Sequence, residues 1–279
     1  MSVSILNNIS SLMAQNQVSM TNTSLQKTLF QLSSGSRINS GADDAAGLAI
    51  ANGLNANIAA LNQSVQNVND GIGQLQTADG ALSQVTSLLN RAVTLSTESA
   101  NGTLSSGQRT AIDAEFTSIK TEIDSIGAST TYNGTSVFTA SASSIFVSDG
   151  SSAAANVTIA TTTGVLSSSS VGASAVNLSG NTLTSAANAT AALTAINSAI
   201  TSVASLRGTI GANINRMSAA TAVANTQVQN LTSAMDGITA ANIPQVVANM
   251  SKFQILTQTG IAALSQANQS QQSVLRLLQ

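Results

Sequence analysis

"LNANIAALNQSVQNVNDGIGQLQTADGALSQVTSLLNRAVTLS", residues 54–96, decides how this chain is read. Leu54, Ile58, Leu61, Val65, Val68, Ile72, Leu75, Asp79, Leu82, Thr86, Leu89, Val93 and Ser96 follow one another in alternating steps of four and three. That repeat places one stripe along a helix and predicts a coiled-coil seam, interrupted here by Asp79, Thr86 and Ser96. A single helix from about Ala42 to Ser99 would be roughly 85 Å long at 1.5 Å per residue, too long for a compact globule.

Outward from this stretch the same spacing returns. Ser105 and Gln108 form a capping-box pattern ahead of Ile112, Phe116, Ile119, Ile123 and Ile126, with Gly127 as the expected stop. Later in the chain Ile196, Ile200, Val203, Arg207, Ile210, Ile214, Met217, Thr221, Ala224, Val228, Leu231, Met235 and Ile238 again alternate four and three. Arg207 on that stripe predicts snorkelling or pairing with an acid. Pro244 suits the first turn of a restarted helix. A last seam runs Val246, Met250, Phe253, Thr257, Gly260, Leu264, Ala267, Gln271, Val274, Leu278. Near the N-terminus Leu6, Ile9, Met13, Asn16 and Met20 begin a matching stripe, followed by Leu25, Leu29 and Leu32.

Residues 128–187 lie between the helical halves. They are mostly Ser, Thr, Ala, Gly and Val, with one charge at Asp149. "SIFV" (144–147) and "NVTI" (156–159) are β-prone, and Asp149-Gly150 is a turn signal between them. With no long seam in the centre, removing about 20 residues after Thr161 is expected to cost little core, since loop entropy changes slowly with length. N-x-[ST] matches such as Asn156-Val157-Thr158 occur at the density chance gives, and an unmodified polar surface is the favoured reading. The expected fold class is therefore mainly α: a long antiparallel helical hairpin or coiled-coil rod, with terminal helices pairing on assembly and a small central β-hairpin region.

Composition narrows the chemistry. The 279 residues are 43% hydrophobic, much of it alanine, 7% charged and 2% aromatic, with no Cys, His or Trp. Little aromatic bulk suits long helices packed closely over small residues. A net charge of −2 argues against nucleic-acid binding. Without His and Cys the usual zinc and copper ligands and thiol nucleophiles are missing, so no catalytic, metal or cofactor site is expected. No uninterrupted run of about 18 apolar residues predicts a membrane span. "MSVSILNNISS" lacks a basic segment followed by a long apolar one, so no cleavable signal peptide is expected. The terminal seams carry Asn, Thr, Gly and Gln. Ordering about 40 residues costs roughly 1–2 kcal/mol each in backbone entropy. Two such helices need partners from other copies, which points to a polymer.

The carboxylates of "LSSGSRINSGADDAAGLAIA" (32–51) are the strongest cluster of ionisable groups. Adjacent helical residues point about 100° apart, so Asp43 and Asp44 cannot share one face for acid–base or metal chemistry. Ser40 and Asp43 match a capping pattern, and both aspartates are expected in the first turn of the long helix, where the dipole favours them.

This stretch is very similar to the N-terminal signature of bacterial flagellins, and "ANMSKFQILTQTGIAALSQANQSQQSVLRLL" (248–278) closely resembles their C-terminal signature. "LLNRAVTLSTESANGTLS" (88–105), "TTYNGTSVF" (130–138) and "LTSAM" (231–235) stand between them in the family's order. The resemblance covers roughly residues 1–160 and 190–279. It departs at "MDGITAANIPQV" (235–246), where the family carries a stretch rich in Arg, Asp and Glu.

The resemblance implies a non-enzymatic subunit that polymerises into the flagellar filament, with a hook–filament junction protein as the alternative. A metalloprotease centre, carried by some flagellins, needs H-E-x-x-H and this chain has no His. It implies inner-core terminal helices from residues 1–40 and 244–279, a helical rod from 41–127 and 188–243, and a Ser/Thr-rich β-hairpin and loop region at 128–187. Inner-core assembly would then fall to Leu6, Ile9, Met13, Met20, Val246, Met250, Phe253, Leu264, Val274 and Leu278. Rod packing and subunit contact would fall to Arg37, Asp43, Asp44, Leu54, Ile58 and Leu61. Implied partners are other copies of the chain, the filament cap, junction proteins and an export chaperone, with Toll-like receptor 5 contacts at Arg91, Leu95 and Glu115. No nucleic acid, membrane or cofactor is implied. Export would use the flagellar type III route, ending in an extracellular filament.

Overall fold

The computed structural model describes residues 8–150 and 158–277. The described chain is mainly α. Its helices are α1 (Ile9–Ser34), α2 (Ala45–Ala100), α3 (Ser106–Ser129), α4 (Ala186–Thr239) and α5 (Ile243–Leu277). Its strands are β1 (Thr131–Tyr132), β2 (Thr135–Ser136), β3 (Ser143–Phe146) and β4 (Thr158–Thr161). Chain contacts divide it into two compact units. Residues up to Ala56 and those from Asn230 make one, and Asn57–Gln229 make the other.

In the second unit α2 and α4 run antiparallel. Asp79 meets Arg207, and Ser99 near the end of α2 donates to the Leu183 carbonyl just ahead of α4. The inner face of α2 is Leu61, Ser64, Val68, Gly71, Leu75, Ala78, Leu82, Val85, Leu89, Ala92 and Leu95, all buried. This corrects the expected seam at every other position. Val65, Ile72, Asp79, Thr86 and Val93 lie beside the contact line, half-buried, and the small residues one position earlier occupy it. Hydropathy spacing overlooks Ser, Gly and Ala, yet these are the side chains that let two helices approach. On α4 the buried set is Ala189, Ala192, Ile196, Ala199, Ser202, Val203, Leu206, Ile210, Asn213, Met217 and Ala224. α4 also carries an 18-residue window of mean hydropathy 1.3, enough by length and composition alone to cross a membrane. Its Ile196, Val203, Ile210 and Met217 are instead fully packed in the core of this unit.

α3 opens as expected. The Ser105 hydroxyl accepts from the Gln108 N–H, and the Gln108 side chain accepts from the Ser105 N–H. It does not stop at Gly127. The helix continues to Ser129, and Gly127 is buried where an added Cβ would strike the Leu166 carbonyl. The glycine is there for close approach, not for termination.

β1 and β2 form a hairpin whose Asn133 and Gly134 take φ of 48° and 76°, the two left-handed positions of a tight two-residue turn. β3 and β4 pair antiparallel from Ser143↔Thr161 to Phe146↔Thr158. Asp149-Gly150 is therefore not a two-residue turn. Residues 147–157 join these strands, and 151–157, including Asn156, lie outside the described residues.

The centre is also not the dispensable loop expected. Val137, Phe138, Ile145, Ile159, Leu166, Val171, Leu178 and Leu183 are all buried in the same core as α2, α3 and α4. Polar staples hold the connection in place. The Asp124 carboxylate accepts from the Ser168 N–H at 2.6 Å and hydroxyl at 2.9 Å, and Asp113 accepts from the Leu183 N–H at 2.6 Å. Gly172, at φ 73°, lies against the α4 backbone at Ser202, where any side chain would collide. Isolated apolar residues spaced by Ser, Thr and Gly make no periodic stripe, so sequence spacing could not reveal them as core.

Leu178 is 1% exposed, whereas Val165 is 46% exposed. Leu178→Ala is expected to destabilise this unit by about 2–5 kcal/mol, and Val165→Ala by less than about 0.5 kcal/mol. Removal of residues 162–181 takes out Leu166, Val171 and Leu178 together and is expected to unfold the surroundings of α3. Urea melts followed by circular dichroism check all three, and an unshifted midpoint for Leu178→Ala would contradict the packing described.

Candidate assembly surface

α1 and α5 pair antiparallel within the first unit. The Asn8 amide donates to the Ala267 carbonyl, and Gly260 lies so close to Val18 that an added Cβ would come within 2.6 Å of it. Asn8 also caps α1 by accepting from the Ser11 N–H. On α5 the least exposed positions are Val246, Asn249, Met250, Phe253, Thr257, Gly260, Leu264 and Ala267. All but Asn249 belong to the expected seam, whose last members Gln271, Val274 and Leu278 have side chains outside the described ones. On α1 the least exposed positions are Ser11, Ala14, Val18, Thr21, Ser24, Leu25, Thr28, Gln31 and Leu32. The expected stripe Ile9, Met13, Asn16, Met20 is thus not the face turned to α5, and Leu29 is exposed as well. Small side chains again hold the contact line. Only Thr21 and Thr28 of α1 are fully buried, and each donates its hydroxyl back to a carbonyl four residues earlier.

The displaced apolar residues face outward. Ile9 is 59% exposed, Met13 68% and Phe30 71%, and Leu12, Met20 and Leu29 accompany them. On α5, Val247, Ile255, Leu256 and Ile261 are exposed too. Lys27 is the one charge in α1, and Lys252 and Arg276 are the only charges in α5. An apolar surface with so few charges loses free energy in water and gains it when covered. Leu6 and Leu278 lie outside the described residues, and Val274 lies near the end of α5.

A joint connects these helices to their neighbours. Gly35 ends α1 at φ 68°, a left-handed cap. Its carbonyl accepts from the Ala241 N–H, the Arg37 N–H donates to the Thr239 carbonyl at 2.7 Å, and Ser36 and Ala240 form an antiparallel bridge. The Arg37 guanidinium donates to the Ile238 carbonyl at 2.6 Å, and the Ser36 hydroxyl donates to that of Thr239. These donors satisfy carbonyls left unpaired at the end of α4. Asn242 then caps α5, with Pro244 in its first turn. The unusual "MDGITAANIPQV" stretch is therefore held by backbone bonds, one arginine and one serine hydroxyl.

Asp43 and Asp44 do not both sit in the first turn of α2. Asp44 is its N-cap, accepting from the Gly47 N–H at 2.9 Å, and Asp43 lies in the turn before it. Asp43 meets Lys27 of α1 at 2.6 Å and accepts from the Asn39 N–H, the Ser40 N–H and the Ser40 hydroxyl. The Lys27 ammonium above all, then these donors, lower its pKa from the usual 3.8 to about 2. Every acceptor site of the carboxylate is committed to structure. Leu54 and Ile58 are half-buried, and Leu61 is buried. Arg91 and Glu115 form an exposed two-bond pair at 2.7 and 3.0 Å, which raises the one pKa and lowers the other. Leu95 is 1% exposed, so its side chain belongs to the core and not to a contact face.

The lowered pKa of Asp43 fixes a sign. Its contribution is fully present above the unfolded value near 3.9 and is lost as pH falls through about 2. Carbon-detected NMR titration should place the Asp43 midpoint near 2, and Lys27→Met should move it upward. A midpoint of 3.8 in the unmutated chain would show that the pair does not form in solution.

Residues 5–143 match the bacterial flagellin N-terminal helical region, and residues 193–278 match the bacterial flagellin C-terminal helical region. The chain is 43% identical over 83 residues to a flagellin of Salmonella typhimurium, which is 30% of this chain and 17% of that one. It is 40% identical over 98 residues to a flagellin of Clostridium tyrobutyricum (34% and 26%), and 45% identical over 58 residues to the flagellar filament 33 kDa core protein of Treponema phagedenis (21% and 20%). The matched stretches thus span about a sixth to a quarter of these relatives. The crystal structure of Bacillus cereus flagellin aligns at 26% identity and a TM-score of 0.49, over 61% of this chain and 94% of that one. With flagellin regions matched at both ends, in order, over most of its length, the chain belongs to the bacterial flagellin family.

Proposed function

We propose that the chain is the structural, non-enzymatic subunit of a bacterial flagellar filament, exported and assembled outside the cell to serve motility. The carrying observation is the outward apolar face of α1 together with that of α5. A helix pair that is thin in bulky buried residues and rich in exposed ones gains its stability when other copies cover it. The name of the Treponema phagedenis relative, a filament core protein, supports this reading. Nothing favours the hook–filament junction alternative.

In this reading residues 1–40 and 244–279 are the inner core, 41–127 with 188–243 the helical rod, and 128–187 the β-hairpin and loop region packed on it. Ile9, Met13 and Met20 contact neighbouring copies, while Val246, Met250, Phe253 and Leu264 hold α5 to α1 within one copy. The same terminal helices are the surfaces available to an export chaperone, the cap and junction proteins. For Toll-like receptor 5, Arg91 and Glu115 are available at the surface and Leu95 acts only by supporting α2 from inside. Type III export without a cleaved leader completes the reading.

Met13→Asp and Phe30→Asp each place an unpaired charge in the covered face of every subunit, at a cost of several kcal/mol per copy. We expect both to stop polymerisation while circular dichroism stays strongly helical. Sedimentation and electron microscopy under filament-forming conditions check this. Long uniform filaments from either variant would remove these residues from the interface, and no filaments from the unmutated chain would refute the function itself.

A further inference from the structure

A cleft of about 330 Å³ opens in the second unit between α2, the β1–β2 hairpin and β3. Asp70 and Gln74 of α2 reach it from successive turns, and Tyr132 enters from the hairpin. Ile145 and Phe146 of β3 close it, the first buried and the second 37% exposed. Among the described residues, the Asp70 carboxylate, the Gln74 amide and the Tyr132 hydroxyl carry no hydrogen bond to any other protein group. Asp44, Asp79, Asp113, Asp124 and Glu115 are each committed to a structural partner, whereas, among the described residues, the Glu122 and Asp236 carboxylates, outside this cleft, are free like that of Asp70. The chain has only six aromatic side chains, five Phe and one Tyr, and two of them border this cleft. Gly73 makes the arrangement possible, because a Cβ there would come 2.9 Å from the Tyr132 hydroxyl and 3.3 Å from its ring.

The chemistry of the cleft selects its ligand. Asp70 offers two acceptors, Gln74 a donor and an acceptor, and Tyr132 a hydroxyl that does both. Phe146 offers apolar surface beside them, backed by the buried Ile145. A ligand with several vicinal hydroxyls on one side and C–H groups on the other uses Asp70, Gln74, Tyr132 and Phe146 together. A phosphate or nucleic acid meets the negative charge of Asp70. A divalent cation finds one carboxylate, and no group of three metal-ligating side chains exists among the described residues. A purely apolar segment would leave three polar groups buried without partners. We propose that this cleft binds a neutral pyranose ring, the terminal sugar of a glycan. Repetition of the cleft along an assembled polymer would turn a weak single contact into a strong multivalent one. The single-site inference holds for the free subunit whether or not the chain polymerises.

The test uses the unassembled full chain and three probes, the methyl glycosides of glucose, galactose and N-acetylglucosamine. Saturation-transfer NMR should show transfer to the ring protons of at least one probe, with a Kd on the order of millimolar, as expected for so small a ligand. Asp70→Ala and Tyr132→Phe should weaken it, the first about tenfold or more, the second several-fold. Glu98→Gln, a charge change elsewhere on α2, should leave it unchanged. Circular dichroism confirms that each variant folds, and sedimentation of the same variants reads assembly separately. No transfer to any of the three probes, or undiminished transfer in Asp70→Ala, overturns the proposal.

Discussion

The small side chains on the contact lines of the helices set what else the molecule can do. Along α2, Ser64, Gly71, Ala78 and Ala92 alternate with Leu61, Val68, Leu75, Leu82 and Leu89. Along α4, Ala189, Ala192 and Ala199 alternate with Ile196, Val203 and Ile210. Gly71 makes room for Ile145 and Met217, and small residues of this kind let a core pack closely with hardly any aromatic volume. The cost of that solution is narrowness. One helix pair has too little bulk to enclose itself, and the second unit closes its core only by recruiting α3, β3, β4 and the buried apolar residues between Leu166 and Leu183.

The first unit has no such cover. α1 meets α5 mainly through Ser11, Ala14, Val18, Thr21, Leu25, Thr28 and Leu32, and α5 answers with buried Val246 and half-buried Met250, Phe253, Thr257, Gly260, Leu264 and Ala267. What remains outside is the more apolar face of α1, with one lysine along its length. The same packing rule that gives a self-sufficient core in one unit leaves an incomplete one in the other. A monomer built this way tends toward association, which is what the proposed filament subunit requires. The ion pairs serve orientation more than energy. Asp79–Arg207 is about one-third exposed, and such pairs are worth at most about 1 kcal/mol. Its two parallel bonds tie one position of α2 to one position of α4.

The joint around Gly35 and Ala240 solves a different problem. Two helix ends, two helix starts and two chain crossings meet in a short stretch, each with orphan backbone groups. Arg37, Ser36, Asp44 and Asn242 each satisfy one of them, and Lys27–Asp43 ties the connector back to α1. The paired carboxylates of this stretch are therefore spent on turns and caps. Asp70, which no motif marks, is the acid left with its valences open in the second unit's cleft.

Much was legible in the sequence because it depends on neighbours along the chain. Four–three spacing specified the long helices and the seam of α5, Ser105 and Gln108 specified the start of α3, and Asn133-Gly134 lies in a tight turn that dipeptides of this kind favour. The signatures at the two ends specified the family. Other features depend on groups far apart in sequence and had no local signal. Hydropathy could not show that Ala78 is fully buried while Asp79, half-buried beside it, reaches Arg207 of α4, because the buried line is set by what lies across the fold. It could not show that Ile9, Met13 and Met20 turn away from α5, because Val18 and Gly260 pack more tightly. Nor could it mark Leu166, Val171 and Leu178 as core, or Leu95 as hidden, since burial is decided by what lies across the fold. Local spacing determines which element forms; distance-dependent packing between elements decides which side of it is used.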